Sequence, residues 1–169
     1  ALAAFAGLPD DPTPAAWAAL HALVGPGGGA VLVRTIDPPA GWHVGSRMPT
    51  HQMIAGEARP SPGAGTALGP GDVADVSALI AKTRPGPFFE RTIELGTYLG
   101  TRANGELVAM AGERMRVRGY TEISAVCTAP EHRGRGLAAE LVDTVADLIR
   151  ARGDVPILHV LAENTSAIS

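Results

Sequence analysis

The feature that most constrains this chain is a glycine-rich loop between a β-branched strand and an amphipathic helix. Residues 128–138 read TAPEHRGRGLA, and we name them the glycine loop. Gly134 and Gly136 let the backbone approach a ligand closely because neither carries a Cβ. The first N–H groups of the following helix have no intrahelical acceptor, and they suit a phosphate or diphosphate. Arg133 and Arg135 add local positive charge, so the loop predicts a site for a phosphate-bearing ligand.

The elements on either side of the glycine loop favour a ligand site over an ordinary glycine turn, although short motifs often match by chance. Residues 121–128 predict a strand, because they are rich in β-branched side chains. Residues 136–150 predict the clearest helix of the chain, with one apolar and one charged face. A last strand at 157–162 returns beside the first, which predicts a locally parallel pair.

The same glycines also match a relaxed dinucleotide-binding fingerprint, Gly134-x-Gly136-x-x-Ala139. That fold places this unit at its beginning and needs several βα units after it, yet only 30 residues follow Ala139. The acid that would bind the ribose could only be Glu163. A dinucleotide-binding fold therefore explains the chain poorly.

The rest of the chain alternates short elements with breaks rich in Gly and Pro. Helical periodicity predicts further helices at 13–24, 72–83 and 88–95. Strands are predicted at 30–35, 66–68, 98–102 and 107–117, and residues 42–55 are ambiguous between loop and strand. Asn104-Gly105 is the strongest short hairpin signal. Residues 56–71, rich in Gly and Pro, form a joint between two parts of the chain. We expect a core at residues 57–169 and an N-terminal extension, residues 1–56, that packs on this core.

Charge and composition exclude several classes of function. The formal net charge is −3, so no basic field is present to bind a nucleic acid. No apolar run is long enough to predict a membrane span. The single cysteine, Cys127, fits a reducing compartment and indicates a cytoplasmic protein. His21, His43 and His51 lack the spacing of metal ligands, so we expect no metal.

At the glycine loop the sequence resembles the GNAT superfamily of N-acetyltransferases. The family's central motif, [RQ]-x-x-G-x-[GA], reads here Arg133-Gly-Arg-Gly136-Leu-Ala138. The preceding Ala129-Pro-Glu-His132 is typical of the approach to that loop, and Asn164-Thr-Ser-Ala167 resembles the start of the next family motif. The runs LVAMAGERM and EISAVCTAP resemble a bacterial branch often found in actinobacteria. The likeness covers about residues 64–169.

This resemblance implies an α/β fold of the α+β kind, with a mixed, mainly antiparallel sheet and flanking helices. Its parallel strands, here 121–128 and 157–162, would splay apart and admit the pantetheine arm of acetyl-CoA. The thioester carbonyl would meet a backbone N–H near Val126, Cys127 and Thr128, and Asn164 would contact pantetheine or the sheet end. The diphosphate would bind the amides of the motif: Arg133, Gly134, Arg135, Gly136, Leu137 and Ala138.

The resemblance also implies direct attack by an amine in a ternary complex, without a covalent intermediate. The acceptor would be a small-molecule amine or a peptide N-terminus. The resemblance is compatible with either a monomer or a homodimer. Family members usually continue with a helix that carries a tyrosine, whereas this chain stops at Ser169, so we expect a truncated C-terminus. The alternative function is a non-catalytic acyl-CoA-binding or regulatory module.

An ammonium substrate must lose a proton, so a base is required. Glu122 is the first candidate, because the family often places a carboxylate on the strand that enters the loop; its alternative is a rim carboxylate without a role. Glu113 is the second, because alternation places it among apolar neighbours, where an acid needs a partner. Its alternative is a structural ion pair with one of Arg114, Arg116 or Arg118. Cys127 is interpreted as a small buried hydrophobe. His159 is interpreted as a core histidine with satisfied hydrogen bonds; its alternative is a position facing the acyl site.

Overall fold

The structure is a computed structural model that describes residues 5–57 and 63–168. Contacts between Cα atoms divide the chain into two compact units between Arg47 and Met48. The segment just before residue 57, which the sequence pattern assigned to the N-terminal extension, therefore belongs to the unit that contains the sheet. The physical reason is a strand at Thr50–Ile54 that pairs within that sheet.

In the described part of the N-terminal unit, the predicted helix is present as α1 (Pro14–Val24). The Thr13 hydroxyl accepts the N–H of Ala16 at 3.2 Å, which caps the helix start. Trp17 and Leu20 are its buried residues. The strand predicted at 30–35 is wrong, because Val31 forms only an isolated bridge with Phe5. An apolar run becomes a strand only where a partner of several residues lies beside it.

The second unit is built on a six-stranded sheet with the order β1-β6-β5-β4-β3-β2. The strands are β1 (Thr50–Ile54), β2 (Thr66–Ala67), β3 (Tyr98–Ala103), β4 (Glu106–Val117), β5 (Tyr120–Thr128) and β6 (Val155–Leu161). Every neighbouring pair is antiparallel except β5 and β6, which are parallel. The predicted fold class, a mixed and mainly antiparallel sheet with flanking helices, is confirmed.

Helices cover both faces of this sheet. They are α2 (Val73–Thr83) and α3 (Leu137–Ala151). A short helix, α4 (Thr165–Ile168), follows β6, and the predicted helix at 88–95 is a 3₁₀ helix at Glu90–Leu95. The core around α2 includes Met110, and the core around α3 includes its neighbour Ala111. Because successive strand residues point to opposite faces, the two helices pack on opposite sides of the sheet.

The β3–β4 connection forms the predicted hairpin. Asn104 and Gly105 have φ values of 51° and 86°, which is the pair of left-handed residues that a type I′ turn requires. This turn places Ala103 opposite Glu106, and a register shift between Thr101 and Arg102 then places Tyr98 opposite Gly112.

Candidate active site

The glycine loop lies between β5 and α3 and presents an open surface. Gly134 and Gly136 have φ values of 72° and 79°, in the left-handed region that glycine adopts at little cost. A Cβ added to Gly134 would meet nothing within 4 Å, and one added to Gly136 would meet only the Glu140 carboxylate at 3.9 Å. The space directly above both glycines is therefore open.

The backbone N–H groups of residues 134–138 point to no acceptor among the residues that the structure describes. The first hydrogen bond of α3 runs from the N–H of Glu140 to the carbonyl of Gly136 at 3.0 Å. Residues 133–136 are exposed, and no side chain caps the helix. The helix dipole adds positive potential at the same place. This set of donors suits a diphosphate.

Two arginine side chains lie beside these amides. Arg133 donates from Nε to the carbonyl of Thr128 at 3.2 Å, and Arg135 donates from Nη2 to the carbonyl of Glu131 at 3.3 Å. Neither of these contacts involves a carboxylate. Both guanidinium charges are therefore available to an anionic ligand on the loop.

The strand that leads into the loop separates from its parallel neighbour. The β5–β6 register ends at Ile123↔Leu158, although β5 continues to Thr128. On its other side β5 carries a bulge against β4, and Ala125 in that bulge has a φ of 54°. One backbone edge of β5 therefore runs beyond Ile123 without β6 beside it. This gap agrees with the predicted splay of the two parallel strands.

Glu122 is completely buried, and both of its oxygens are bonded. Arg114 donates from Nε to Oε2 at 2.8 Å and from Nη2 to Oε1 at 2.6 Å. Nδ1 of His159 lies 2.7 Å from Oε1 of Glu122, and Nε2 of His159 lies 3.2 Å from Oε1 of Gln52. We name these four residues the Glu122 cluster; they come from β4, β5, β6 and β1.

The sequence pattern did not reveal this cluster. The signal that could have joined Glu122 to His159 was the predicted parallel pairing of their strands, because the register places Glu122 opposite Ile157, two residues before His159. Gln52 lies directly opposite His159 in the β1–β6 register. The contact between Gln52 and His159 could not be predicted from the sequence, because residues 42–55 show no clear strand pattern.

Glu113 is also completely buried but belongs to a different cluster. Arg116 donates to its Oε2 at 2.7 Å and Arg152 donates to its Oε1 at 2.8 Å. Glu113 pairs with Ile123, which packs against α3, whereas Glu122 is the neighbour of Ile123 and points to the opposite face. The structure therefore does not bring the two candidate carboxylates together.

Two further titratable groups lie in the core on the α2 side of the sheet. Burial raises the pKa of the Cys127 thiol, against an opposing hydrogen bond with Thr83. A raised thiol pKa disfavours the nucleophilic thiolate, in agreement with a buried hydrophobic role. Burial also raises the pKa of the Tyr98 phenol, whose hydroxyl has no partner in the described part of the chain.

Asn164 lies between β6 and α4. Its N–H donates to the carbonyl of Leu161 at 2.9 Å, and its own carbonyl accepts the N–H of Ala167 at 3.1 Å. Within residues 5–57 and 63–168, no group of three or more His, Cys, Asp or Glu side chains could hold a metal ion. Over the same residues, every helix is too short or too polar to cross a membrane.

Comparisons with known proteins agree with this geometry. The family model described as FR47-like protein matches residues 98–169. A GNAT-family protein from Novosphingobium aromaticivorans has 43% sequence identity to this chain. The alignment covers 94% of this chain and 73% of that protein's chain, and the two structures superpose with a TM-score of 0.80. Among curated proteins, none matches the chain significantly.

Two more distant structures share the fold. An acetyltransferase of the GNAT family from Colwellia psychrerythraea is 16% identical over 72% of this chain and 49% of its own, with a TM-score of 0.54. The ribosomal-protein-S18-alanine N-acetyltransferase of Escherichia coli is 20% identical over 70% of this chain and 72% of its own, with a TM-score of 0.53. The 43% identity to the Novosphingobium protein, over most of both chains, decides the family. This chain belongs to the GNAT family of acetyltransferases.

Proposed function

We propose that the protein is an N-acetyltransferase that moves the acetyl group of acetyl-CoA to a primary amine by direct attack in a ternary complex. The observation that carries this proposal is the set of backbone N–H groups at residues 134–138, which have no acceptor among the described residues; residues 134–136 are exposed, and residues 137 and 138 are partly exposed. They lie at the start of α3, where the helix dipole favours an anion. A diphosphate is the ligand that this arrangement suits best.

The remaining contacts of the co-substrate follow from the position of this anion site. The N–H groups of residues 134–138 and the Arg133 guanidinium would bind the diphosphate, whereas the expected contact with the Arg133 N–H is lost because that group already donates to the carbonyl of Pro130 at 3.3 Å. The pantetheine arm would lie in the gap where β5 leaves β6 beyond Ile123. Asn164 would flank the other side of that gap. A backbone N–H among Val126, Cys127 and Thr128 would stabilise the oxyanion, because these residues follow the bulge on the open edge of β5.

Of the two candidate carboxylates, we place Glu122 in the reaction centre. It lies on β5 next to the gap, and its bonding partner His159 is the β6 residue that follows the end of the β5–β6 register. Glu113 faces the other side of the sheet, where Arg116 and Arg152 occupy both of its oxygens. We assign Glu113 a structural role. The acceptor class is a primary amine on a small molecule or a peptide, and the protein acts in the cytoplasm.

Thermal unfolding with acetyl-CoA tests the binding part of the proposal. A ligand that binds only the folded state stabilises it by RT ln(1 + [L]/Kd), so the unfolding midpoint rises with the logarithm of ligand concentration above Kd. We expect a clear rise with acetyl-CoA and none with NAD(H) at the same millimolar concentration. The reverse result would favour a dinucleotide-binding protein, and no shift with either ligand would overturn the proposal.

Release of the coenzyme A thiol tests the catalytic part. We expect release that depends on both acetyl-CoA and a primary amine from a panel of alkylamines, amino acids and short peptides. The buried thiol of Cys127 should add little to a thiol-reagent signal. Stabilisation by acetyl-CoA without release for any amine would identify a non-catalytic acyl-CoA-binding module.

A further inference from the structure

We infer that His159, rather than Glu122, takes the proton from the attacking ammonium, and that Glu122 is a positioning residue that acts through His159. This inference rests on the proposed acetyltransferase function and deepens it. It follows from the contacts of the Glu122 cluster, from the exposure of its members, and from the place of His159 at the end of the β5–β6 register.

The Glu122 carboxylate has no room for a substrate. It is 0% exposed, and its two oxygens already accept two bonds from Arg114 and meet Nδ1 of His159. A general base must come within hydrogen-bond distance of the proton that it removes, directly or through one water. An ammonium group could reach Glu122 only by displacing Arg114 or His159. Direct proton transfer to Glu122 is therefore disfavoured.

His159 has the properties that Glu122 lacks. Its side chain is 11% exposed, so part of it reaches the surface. An ionised carboxylate only accepts hydrogen bonds, so the neutral ring must place its proton on Nδ1 to bond Glu122. Nε2 then carries the lone pair that can accept a proton. This is the arrangement by which a buried carboxylate orients a catalytic imidazole.

Gln52 can bond Nε2 in both protonation states of the ring. Its carbonyl oxygen accepts from a protonated Nε2, and after rotation of the amide its NH₂ group donates to a neutral Nε2. Gln52 lies on the edge strand β1 and is exposed, so an incoming amine or a water can displace it. Of the charged groups in the described residues, Glu122 from β5 contacts the ring, and Arg114 from β4 lies behind Glu122.

The strand register places His159 next to the proposed thioester position. Leu158 is the last β6 residue paired with β5, so His159 is the first residue at the opening between the strands. The corresponding step on β5 leads from Ile123 to Ser124, directly before the bulge at Ala125. The backbone edge proposed to bind the thioester oxygen begins there. His159 therefore lies where an amine would approach the thioester carbon.

The proton and electron balance of the step is complete with these reactants. Nε2 of His159 takes one proton from R–NH₃⁺ and becomes imidazolium, and the free amine attacks the thioester carbon. The new N–C bond forms, the C–S bond breaks, and the sulfur leaves with the bonding electrons. The second proton lost by nitrogen neutralises the thiolate, and His159 returns its proton to solvent. The products are an amide, coenzyme A thiol and one H⁺.

Acceptor amines of different basicity provide the decisive test. At about pH 7.5 an alkylamine with a pKa of about 10 is an ammonium ion, whereas methoxyamine is already neutral. We expect His159→Gln to lower kcat for the alkylamine by about 10²-fold or more, the usual contribution of a general base. We expect its effect with methoxyamine to stay below about fivefold, and the KM for acetyl-CoA to stay unchanged. Equal losses with both amines would mean a structural role and would overturn the inference.

A double-mutant cycle tests whether Glu122 acts through His159. If it does, Glu122→Gln lowers kcat in the wild type but adds less than about threefold in the His159→Gln background. If the fold-losses in kcat of the two single variants multiply in the double variant, Glu122 acts independently of His159. In the same assays, added imidazole should restore part of the alkylamine activity of His159→Ala, and no restoration would count against the inference.

One further measurement needs no variant, so it holds even if these substitutions impair folding. In ¹⁵N-labelled wild-type protein, the neutral ring of His159 should show the Nδ1–H tautomer, and the Nε2–H tautomer would overturn the inference. The proposed function fails separately, when the wild type releases no thiol with any amine. If His159→Gln turns over the alkylamine as fast as the wild type does, the inference about His159 is overturned while the proposed acetyltransferase function stands.

Discussion

Arg114 binds Glu122 through two parallel hydrogen bonds, from Nε to Oε2 at 2.8 Å and from Nη2 to Oε1 at 2.6 Å. The Arg114 side chain is 11% exposed and the Glu122 side chain 0%. Removing one member of such a pair leaves a buried charge, which costs about 3–5 kcal/mol. We predict that Arg114→Met lowers the free energy of unfolding in urea by that amount.

The exposed pair between Arg91 and Glu94 provides the control for Arg114. Arg91→Met should change the unfolding free energy far less, because exposed ion pairs contribute little. The double variant Arg114→Met with Glu122→Leu should recover part of the loss, because no buried charge remains. Similar losses in the two single arginine variants would show that burial of the Glu122 carboxylate is not the cause.

Gly136 and Gly119 allow a matched test of the glycine loop. Both have a φ of 79°, so alanine at either position should cost about 1–2 kcal/mol of stability. Gly119 lies in the β4–β5 turn, away from the loop, and its added Cβ would meet nothing within 4 Å. We predict that only Gly136→Ala weakens acetyl-CoA binding, by about tenfold or more, as measured by calorimetry. A similar Kd for both variants would argue against ligand contact at Gly136.

The buried phenol of Tyr98 predicts a loss of stability at alkaline pH. Burial raises its pKa above the usual 10.0, so the unfolded chain releases this proton at a lower pH than the folded protein does. The contribution is therefore complete below about pH 10 and is lost as the pH rises further. Cys127 acts in the same direction from its usual value of 9.0. Unfolding in urea between pH 8 and pH 11 measures the slope.

The variant Tyr98→Phe should reduce that slope. At neutral pH it should cost less than about 1 kcal/mol, because the removed hydroxyl has no partner among the described residues. Parallel slopes for the wild type and this variant would show that Tyr98 ionisation does not limit alkaline stability.

Gly112 provides the surface on which the Tyr98 ring lies. The two residues are direct partners in the β3–β4 register, and a Cβ on Gly112 would overlap Cδ1 of Tyr98. We predict that Gly112→Ala lowers the unfolding free energy by about 1–3 kcal/mol, as overpacking usually does. Gly69→Ala is the control, because its φ is −135° and its Cβ would meet nothing within 4 Å. A loss of equal size at both positions would contradict the packing argument.

Local patterns predicted much of this fold. The type I′ hairpin at Asn104-Gly105, helix α3 and the glycine loop each depend on residues that are close in sequence. The strand predicted at 30–35 failed because strand formation needs a distant partner, which Phe5 supplies at one position only. A short apolar run cannot show whether such a partner exists.

Only the part of the candidate site that depends on residues close in sequence could be predicted. The glycine loop follows from its own residues, and both carboxylates were identified as candidates. Their partners depend on strand register: a bulge in β4 near Arg114 sets which side chains meet Glu122, and β1 brings in Gln52. Neither bulges nor the order of strands in a sheet can be read from the periodicity of one segment.

Strand β1 has a practical consequence for dissecting the protein. A fragment that starts at residue 57, the sequence-predicted limit of the catalytic core, would lack the partner of β6 along Ile157–Leu161. Its outer strand would then present unsatisfied backbone groups to other molecules and favour self-association. A recombinant fragment of the sheet-containing unit should therefore begin no later than Met48. Such a fragment retains the edge strand β1 and the Gln52 side-chain amide that contacts His159.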